Sequence, residues 1–145
     1  MRVKDFLSKE EQDRVIAAIK SAELDTSGEI RVHLESKCKT DVLDRAVYIF
    51  NYLKMHKTAQ RNGVLIYVAV ENKKFAIIGD GGMNSKVPEN FWDSIQQQMG
   101  EDFKKGLFCK GLCSAITEAG KQLKTYFPYQ SNDVNEQPDE ISFGE

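Results

Sequence analysis

Four oxygen-bearing side chains lie where the chain passes between loops and predicted strands. Two are the carboxylates Glu29 and Asp80, and two are the amides Asn62 and Asn84. Carboxylate and amide oxygens are the hard ligands that Ca²⁺ and Mg²⁺ accept in proteins, and glycines on both sides of Asp80 would let backbone carbonyls approach an ion. These residue types predict the binding of a divalent cation.

Three strands are predicted around these residues. Apolar and polar residues alternate over 29–35, which predicts a strand with one face less buried than the other. The apolar run within 63–70 predicts a central strand, and a connection of hairpin length leads to a third strand over 75–78. A helix predicted over 41–55 joins the first two strands, which are therefore parallel, whereas the third is antiparallel to the second.

This topology brings three polar segments to one end of the sheet. The first two strands start there and the third ends there, so the polar segments 26–29, 60–63 and 79–82 should converge. Asn84 comes two residues after the last of these segments in the sequence. The four candidate ligands would then lie near one another.

A second interpretation fits the same residues. Segment 79–82 is then only a tight turn that Asp80 caps, while Glu29 pairs with Arg31 or Arg61. In that case the carboxylates would serve the fold and no ion.

The remaining periodicity predicts helices packed on the same sheet. A capping box opens a helix over 9–24, a proline opens a helix over 88–104, and a last helix follows Gly106 as far as Lys124. With the helix over 41–55, these four main helices and the short sheet predict a layered α/β domain.

Length and charge limit the class of protein. The 145 residues include 20 Lys plus Arg and 22 Asp plus Glu, a net charge of −2, so nucleic acid is not an expected partner. The longest apolar run is far shorter than the ~20 residues that a membrane-spanning helix needs, and the amino terminus shows no signal-peptide pattern. The three cysteines are expected to be reduced thiols. We therefore expect a cytoplasmic monomer.

The chain divides into a domain over 1–126 and an acidic tail over 127–145. Beyond Pro128 the tail contains no Lys or Arg. It is expected to be flexible or weakly docked. A third functional interpretation gives this tail, or the aromatic segment 126–129, the role of docking on a protein partner.

Motifs along the chain resemble those of TPM domains. They are Ser27-Gly28-Glu29-Ile30-Arg31-Val32, Arg61-Asn62-Gly63-Val64-Leu65-Ile66, Gly79-Asp80-Gly81-Gly82 and the stretch from Gly106 to Gly111. Through Tyr126 the sequence is similar to the small stand-alone bacterial TPM-domain proteins. The resemblance implies an α/β/α sandwich around a short mixed β-sheet, divalent-cation binding in some members, and an acid phosphatase activity attributed to plant thylakoid-lumen relatives.

Carried over by motif position, Glu29, Asn62 and Asp80 match polar positions of the family at the strand ends. Leu107 stands where many relatives have Asp or Glu, so no ligand is expected from that loop. Many relatives also have an export signal and a carboxy-terminal membrane helix, and neither is expected here.

The primary hypothesis is a cation-binding domain that acts as a binding or regulatory module. Its metal ligands would be Glu29, Asn62, Asp80 and Asn84. The alternative is a weak metal-dependent acid phosphatase at the same sheet end, with Arg61 steadying the phosphate. The sequence contains no complete nucleophile motif of a phosphatase. His33 is expected to lie at the surface or at the edge of the sheet rather than to act as a general acid.

Overall fold

The described helices pack around one four-stranded sheet. The computed structural model describes residues 2–58, 60–84, 86–88, 90–129 and 138–144, with only the backbone described at Met83 and Asn84. The helices are α1 (Lys9–Glu23), α2 (Val42–Tyr52), the one-turn α3 (Gly81–Asn84), α4 (Asp93–Lys104) and α5 (Phe108–Tyr126). The strands are β1 (Glu29–Glu35), β2 (Gly63–Ala69), β3 (Lys74–Gly79) and β4 (Ser142–Phe143). In the described parts of the chain, no helix has both the length and the hydropathy to cross a membrane.

The sheet is mixed, and its strands lie in the order β3, β2, β1, β4. The predicted topology is confirmed, because β1 is parallel to β2 and β2 is antiparallel to β3. The two-residue strand β4 adds to the outer edge of β1 in parallel orientation. It was not predicted, because two residues carry no periodic pattern.

Each face of the sheet has its own apolar core. Helices α1, α4 and α5 cover the face that presents Ile30, Val32 and Leu34 of β1. Helix α2 covers the opposite face and packs Ile49 and Phe50 against β2. The result is the predicted α/β/α sandwich with four main helices.

Most ends of the helices follow the local sequence, but two predicted ends are wrong. Helix α2 ends at Tyr52 rather than at residue 55, and α4 begins later than predicted. Ser8 and Glu11 form the predicted capping box of α1, and Gly106 ends α4 with a φ of +76°. The prediction of a helix from residue 88 is wrong, because α4 begins only at Asp93. Single hydrogen bonds between residues three apart precede it, from the amide of Phe91 to the carbonyl of Pro88 and from the amide of Asp93 to the carbonyl of Asn90.

Strand β1 is buried on both faces, which differs from the expected half-buried strand. Its polar residues Glu29, His33 and Glu35 are all less than 5% exposed. His33 and Glu35 can be buried because they contact each other, and because Arg45 of α2 bonds Glu35 and Ser142 of β4 bonds His33. His33 in particular is 3% exposed, so the expectation of a surface or edge histidine is wrong.

Candidate functional site

Three polar segments meet where β1 and β2 begin and β3 ends. Glu29 is the register partner of Gly63. The amide nitrogen of Asp80 donates to the carbonyl oxygen of Gly63 at 2.9 Å, and the amide nitrogen of Glu29 donates to the carbonyl oxygen of Asn62 at 3.4 Å. Glu29 and Asp80 therefore flank Gly63 on its two sides, two strand spacings or about 10 Å apart along the sheet.

The carboxylate of Asp80 is buried and is held by an exposed guanidinium. Arg61 donates from Nε and Nη2 to the two oxygens of Asp80, each at 2.8 Å. The side chain of Arg61 is 55% exposed, against 5% for that of Asp80. The amide of Gly81 also donates to Asp80, at 2.7 Å. Part of the second interpretation is thus seen, since Asp80 bonds the turn, although Arg61 pairs with Asp80 rather than with Glu29.

This ion pair supplies the positive partner that a buried carboxylate requires. Hydrogen bonding to Asp80, together with its negative charge, raises the pKa of Arg61. Arg61 reaches Asp80 from a backbone in the left-handed region, with a φ of +53°. The contact therefore depends on an uncommon loop conformation at the entrance to β2.

The side chain of Asn62 leaves one polar atom unsatisfied at the same place. Asn62 is 1% exposed, and its Nδ2 donates to the Oγ of Ser27 over a long 3.4 Å. Its Oδ1 is buried and has no hydrogen-bond partner in the described part of the chain. Buried polar atoms in folded proteins almost always have a partner. An acceptor oxygen in this state marks a place where a donor or a cation fits.

Met55 fills the space above Gly63. A Cβ at position 63 would lie 3.3 Å from the backbone oxygen of Met55 and 3.5 Å from its methyl carbon. Met55 is the buried first residue of a 3-10 turn over Met55–Lys57. It brings a further backbone carbonyl to the sheet end.

A carboxyl group that the sequence analysis did not single out lies near Glu29, and a second carboxyl group is hydrogen-bonded to it. Glu23, at the end of α1, accepts the amide of Ile30 at 2.8 Å. Burial raises the pKa of Glu23 to about 10, with further contributions from a hydrogen bond to Asp139 and from the charge of Glu29. The start of β1 therefore gathers more carboxyl groups than the sequence predicted, and Glu23 among them holds its proton near neutral pH.

The fourth predicted ligand, Asn84, is the last residue of α3, and its side chain lies outside the described residues. Among the side chains that are described, no three His, Cys, Asp or Glu residues are grouped so as to hold a metal ion. A cation at the sheet end would therefore depend on amide and backbone carbonyl oxygens in addition to carboxylates.

A cleft of about 430 Å³ opens beside Asp80. Arg61 and His56 line its polar end, and Val47 of α2 and Trp92 line part of its apolar wall. Apolar clefts with a few polar groups at one end are typical of ligand sites.

A second polar network lies near the other end of β1. Tyr67 and Arg45 both donate to the carboxylate of Glu35, Arg45 from its Nε at 2.9 Å. Although burial alone would raise the pKa of Glu35, these hydrogen bonds and the charge of Arg45 outweigh it and lower the pKa. The Nδ1 of His33 lies 2.8 Å from the Oγ of Ser142 in β4, and burial lowers the pKa of His33. The network ties the carboxy-terminal strand to the centre of the sheet.

Comparison with known proteins agrees with this architecture. The family model described as TPM domain matches residues 2–122. The chain belongs to the TPM domain family. The NMR structure of BA42 protein from the psychrophilic bacterium Bizionia argentinensis is similar to this TPM domain over 99% of both chains, with 48% sequence identity and a TM-score of 0.92.

Two more distant solved structures share the fold of this TPM domain. The N-terminal domain of a P. gingivalis protein has a TM-score of 0.67 at 16% identity, and the match covers 84% of this chain and 79% of that one. The N-terminal domain of cg2496 protein from Corynebacterium glutamicum has a TM-score of 0.66 at 12% identity, covering 91% and 82%. At these identities the likeness shows the fold alone. No curated protein matches the chain.

Proposed function

We propose that this TPM domain binds a divalent cation, Ca²⁺ or Mg²⁺, at the sheet end and works as a binding or regulatory module. The observation that carries the proposal is a buried carboxylate whose described counter-charge is exposed. Asp80 is 6% exposed, whereas the side chain of Arg61 is 55% exposed. Next to it, Asn62 offers a buried oxygen without a described partner.

Arg61 and the cation would compete for Asp80. A guanidinium that is more than half exposed can be hydrated when it leaves the carboxylate, provided that a cation replaces it beside the buried Asp80. The cation would then take over the charge of Asp80. Arg61 thus holds the carboxylate ready in the absence of the ion.

The remaining ligands would come from the segments around Gly63. Asn62 would contribute its Oδ1, and Glu29 a second negative charge from the neighbouring strand. Asn84, at the end of α3, completes the proposed set. Oxygen ligands of mixed charge are what Ca²⁺ and Mg²⁺ prefer.

A titration of the ¹⁵N-labelled protein with CaCl₂, and separately with MgCl₂, tests this site. Amide resonances of residues 28–30, 61–64 and 79–82 should move together with a single dissociation constant. Asp80→Asn should weaken that constant at least tenfold, because one full ligand charge is lost. Glu101→Gln removes a charge from the exposed face of α4 and serves as the matched control. Shifts confined to other parts of the chain would refute the site.

The alternative function at this edge is hydrolysis of a phosphomonoester, with the ion as Lewis acid and Arg61 as phosphate ligand. The exposure of Arg61 beside a cleft favours it. Turnover of p-nitrophenyl phosphate would have to depend on added metal and be lost in both Asp80→Asn and Arg61→Gln. Turnover that survives Asp80→Asn at full rate would assign the activity elsewhere.

A further inference from the structure

Two cysteine thiols lie side by side in the first two turns of α5. The Sγ atoms of Cys109 and Cys113 are 4.0 Å apart, and neither belongs to a disulfide. Cys109 is buried, whereas Cys113 is partly exposed. The pair can therefore be reached from solvent through Cys113.

The spacing of the two sulfurs matches that of two ligands of one metal ion. Thiolate sulfurs lie about 2.3 Å from a bound metal ion in proteins, so two of them with an angle of about 120° at the metal are about 4.0 Å apart. A disulfide fits less well, because Cβ atoms four residues apart on a helix are about 5–6 Å apart. A disulfide requires Cβ atoms about 3.5–4.5 Å apart. The pair therefore suits coordination of an ion better than oxidation.

The surroundings of the pair can stabilise thiolates. Cys109 is the second residue of the 19-residue helix α5, whose dipole favours negative charge in this first turn. Burial and the neighbouring Cys109 raise the pKa of the Cys113 thiol to about 11, against the opposing effect of the Arg14 guanidinium on α1. The Cys113 thiol therefore keeps its proton at neutral pH until a metal ion displaces it. The helix dipole and Arg14 would then offset the negative charge of the two sulfurs.

The number of ligands limits the kind of ion. In the part of the chain that the structure describes, no third His, Cys, Asp or Glu side chain completes a metal site with the pair. The carboxylate of nearby Glu11 is engaged in the capping box, where it accepts the amide of Ser8 at 2.9 Å. Only the backbone carbonyl of Glu11 approaches, 3.8 Å from the Sγ of Cys109. A structural Zn²⁺ needs four ligands, whereas the soft ion Cu(I) prefers thiolates and is stable with two or three ligands.

We propose that Cys109 and Cys113 bind one Cu(I) ion as a two-thiolate site where α5 packs on α1. Binding forms two Cu–S bonds, breaks two S–H bonds and releases two protons to solvent, while copper stays in the +1 state. The site is separate from the sheet end, where oxygen ligands suit only hard cations. It therefore goes beyond the proposed function.

The test uses the reduced full-length protein under nitrogen, in buffer with EDTA, and Cu(I) supplied as its coloured bicinchoninate complex. EDTA removes divalent cations, so the result does not depend on the sheet end. The protein should withdraw one Cu(I) ion per chain and bleach the complex in proportion. In the NMR spectrum, the amides of residues 108–114 should shift, whereas those of residues 28–30, 61–64 and 79–82 should not.

Variants of the thiols and of the nearby charge identify the ligands. Cys109→Ser and Cys113→Ser should each weaken Cu(I) binding by about a hundredfold or more, because a hydroxyl is a poor ligand for a soft ion. Cys38→Ser removes the third thiol, which is also buried, and is the matched control. Arg14→Gln should weaken binding about tenfold, whereas Lys20→Gln, also exposed on α1, should not. Because Arg14 is exposed, its replacement tests the site even if a variant of a buried thiol fails to fold.

Four results would overturn the proposal. The first is that the protein withdraws no Cu(I) from bicinchoninate. The second is that uptake survives in the double variant Cys109→Ser/Cys113→Ser, and the third is that it is lost in Cys38→Ser alone, which would assign the copper to Cys38. Equal affinities of Arg14→Gln and the wild-type protein would refute a negatively charged thiolate site beside Arg14.

Discussion

Arg61 and Asp80 form a doubly hydrogen-bonded ion pair in which only the acid is buried. Both bonds measure 2.8 Å, and the arginine side chain remains 55% exposed. The pair neutralises one of the two carboxylates that flank Gly63 before any ion is present. A cation that binds Asp80 must therefore displace Arg61, and replacing Arg61 removes the positive charge that pairs with Asp80.

Replacement of two adjacent glycines by alanine should affect the free energy of unfolding very differently. A Cβ on Gly82 would lie 2.1 Å from the backbone oxygen of Gln60 and 2.5 Å from that of Arg61, whereas a Cβ on Gly81 meets nothing closer than 3.9 Å. Gly82→Ala should therefore lower the free energy of unfolding by about 1–3 kcal/mol, as overpacking does. Gly81→Ala should change it by no more than about 0.5 kcal/mol. Urea denaturation measures both, and equal stabilities would contradict the close packing of segment 60–61 on α3.

The carboxyl group of Glu23 should make the protein less stable as the pH rises. Its folded-state pKa of about 10 is above the ordinary 4.5, because the group is buried and hydrogen-bonded to Asp139. The folded state therefore holds a proton that the unfolded state releases, and stability is lost between pH 4.5 and pH 10. The slope has an upper limit of about 1.4 kcal/mol per pH unit.

Glu23→Gln should remove most of this slope, since the amide keeps the shape without the titration. Chemical denaturation at pH 6, 7.5 and 9 measures it. Glu118→Gln, on the exposed surface of α5, is the control. A slope that is unchanged in Glu23→Gln would show that Glu23 ionises normally in the folded protein.

His33 should produce the opposite dependence on the acid side. Burial lowers its folded-state pKa, against the opposing effect of Glu35, and Arg45 and Arg31 add repulsion of the charged form. The unfolded chain therefore takes up a proton near pH 6.5 before the folded protein does, and stability falls as the pH decreases from there.

Denaturation at pH 5.5, 6.5 and 7.5 in the Glu23→Gln background isolates this effect. His33→Gln should flatten the curve, even if it lowers stability at every pH by weakening the contact with Ser142. An acid-side slope that persists in His33→Gln would assign the effect to another group.

The fold was largely predictable because its signals are local. The alternation over 29–35, the apolar run of β2 and the hairpin to β3 each depend on neighbouring residues, and the topology then required the convergence at Gly63. The start of α4 was less predictable, because Pro88 is as compatible with a single turn closed by the Phe91 amide as with the first turn of a helix.

The charges of the candidate site were less predictable because they depend on distant contacts. The pairing of Arg61 with Asp80 rather than with Glu29 is set by the left-handed backbone at Arg61. The contact of Glu23 with Asp139 joins the end of the first helix to the acidic tail. No local pattern indicates either contact.

Thermal unfolding with and without saturating CaCl₂ or MgCl₂, in the wild-type protein and in Arg61→Gln, tests the central claim most directly. Without metal, Arg61→Gln should lower the melting temperature, because the buried Asp80 carboxylate loses the positive charge that pairs with it. At a metal concentration about 100 times the dissociation constant, the wild-type protein should gain roughly 2.7 kcal/mol.

The variant should gain more than the wild type, since no guanidinium competes with the ion, and the two melting temperatures should approach each other. Lys57→Gln, which removes a nearby exposed cation, should behave as the wild type does. A metal response that is absent from the wild-type protein, or lost rather than enlarged in Arg61→Gln, would contradict cation binding at Asp80.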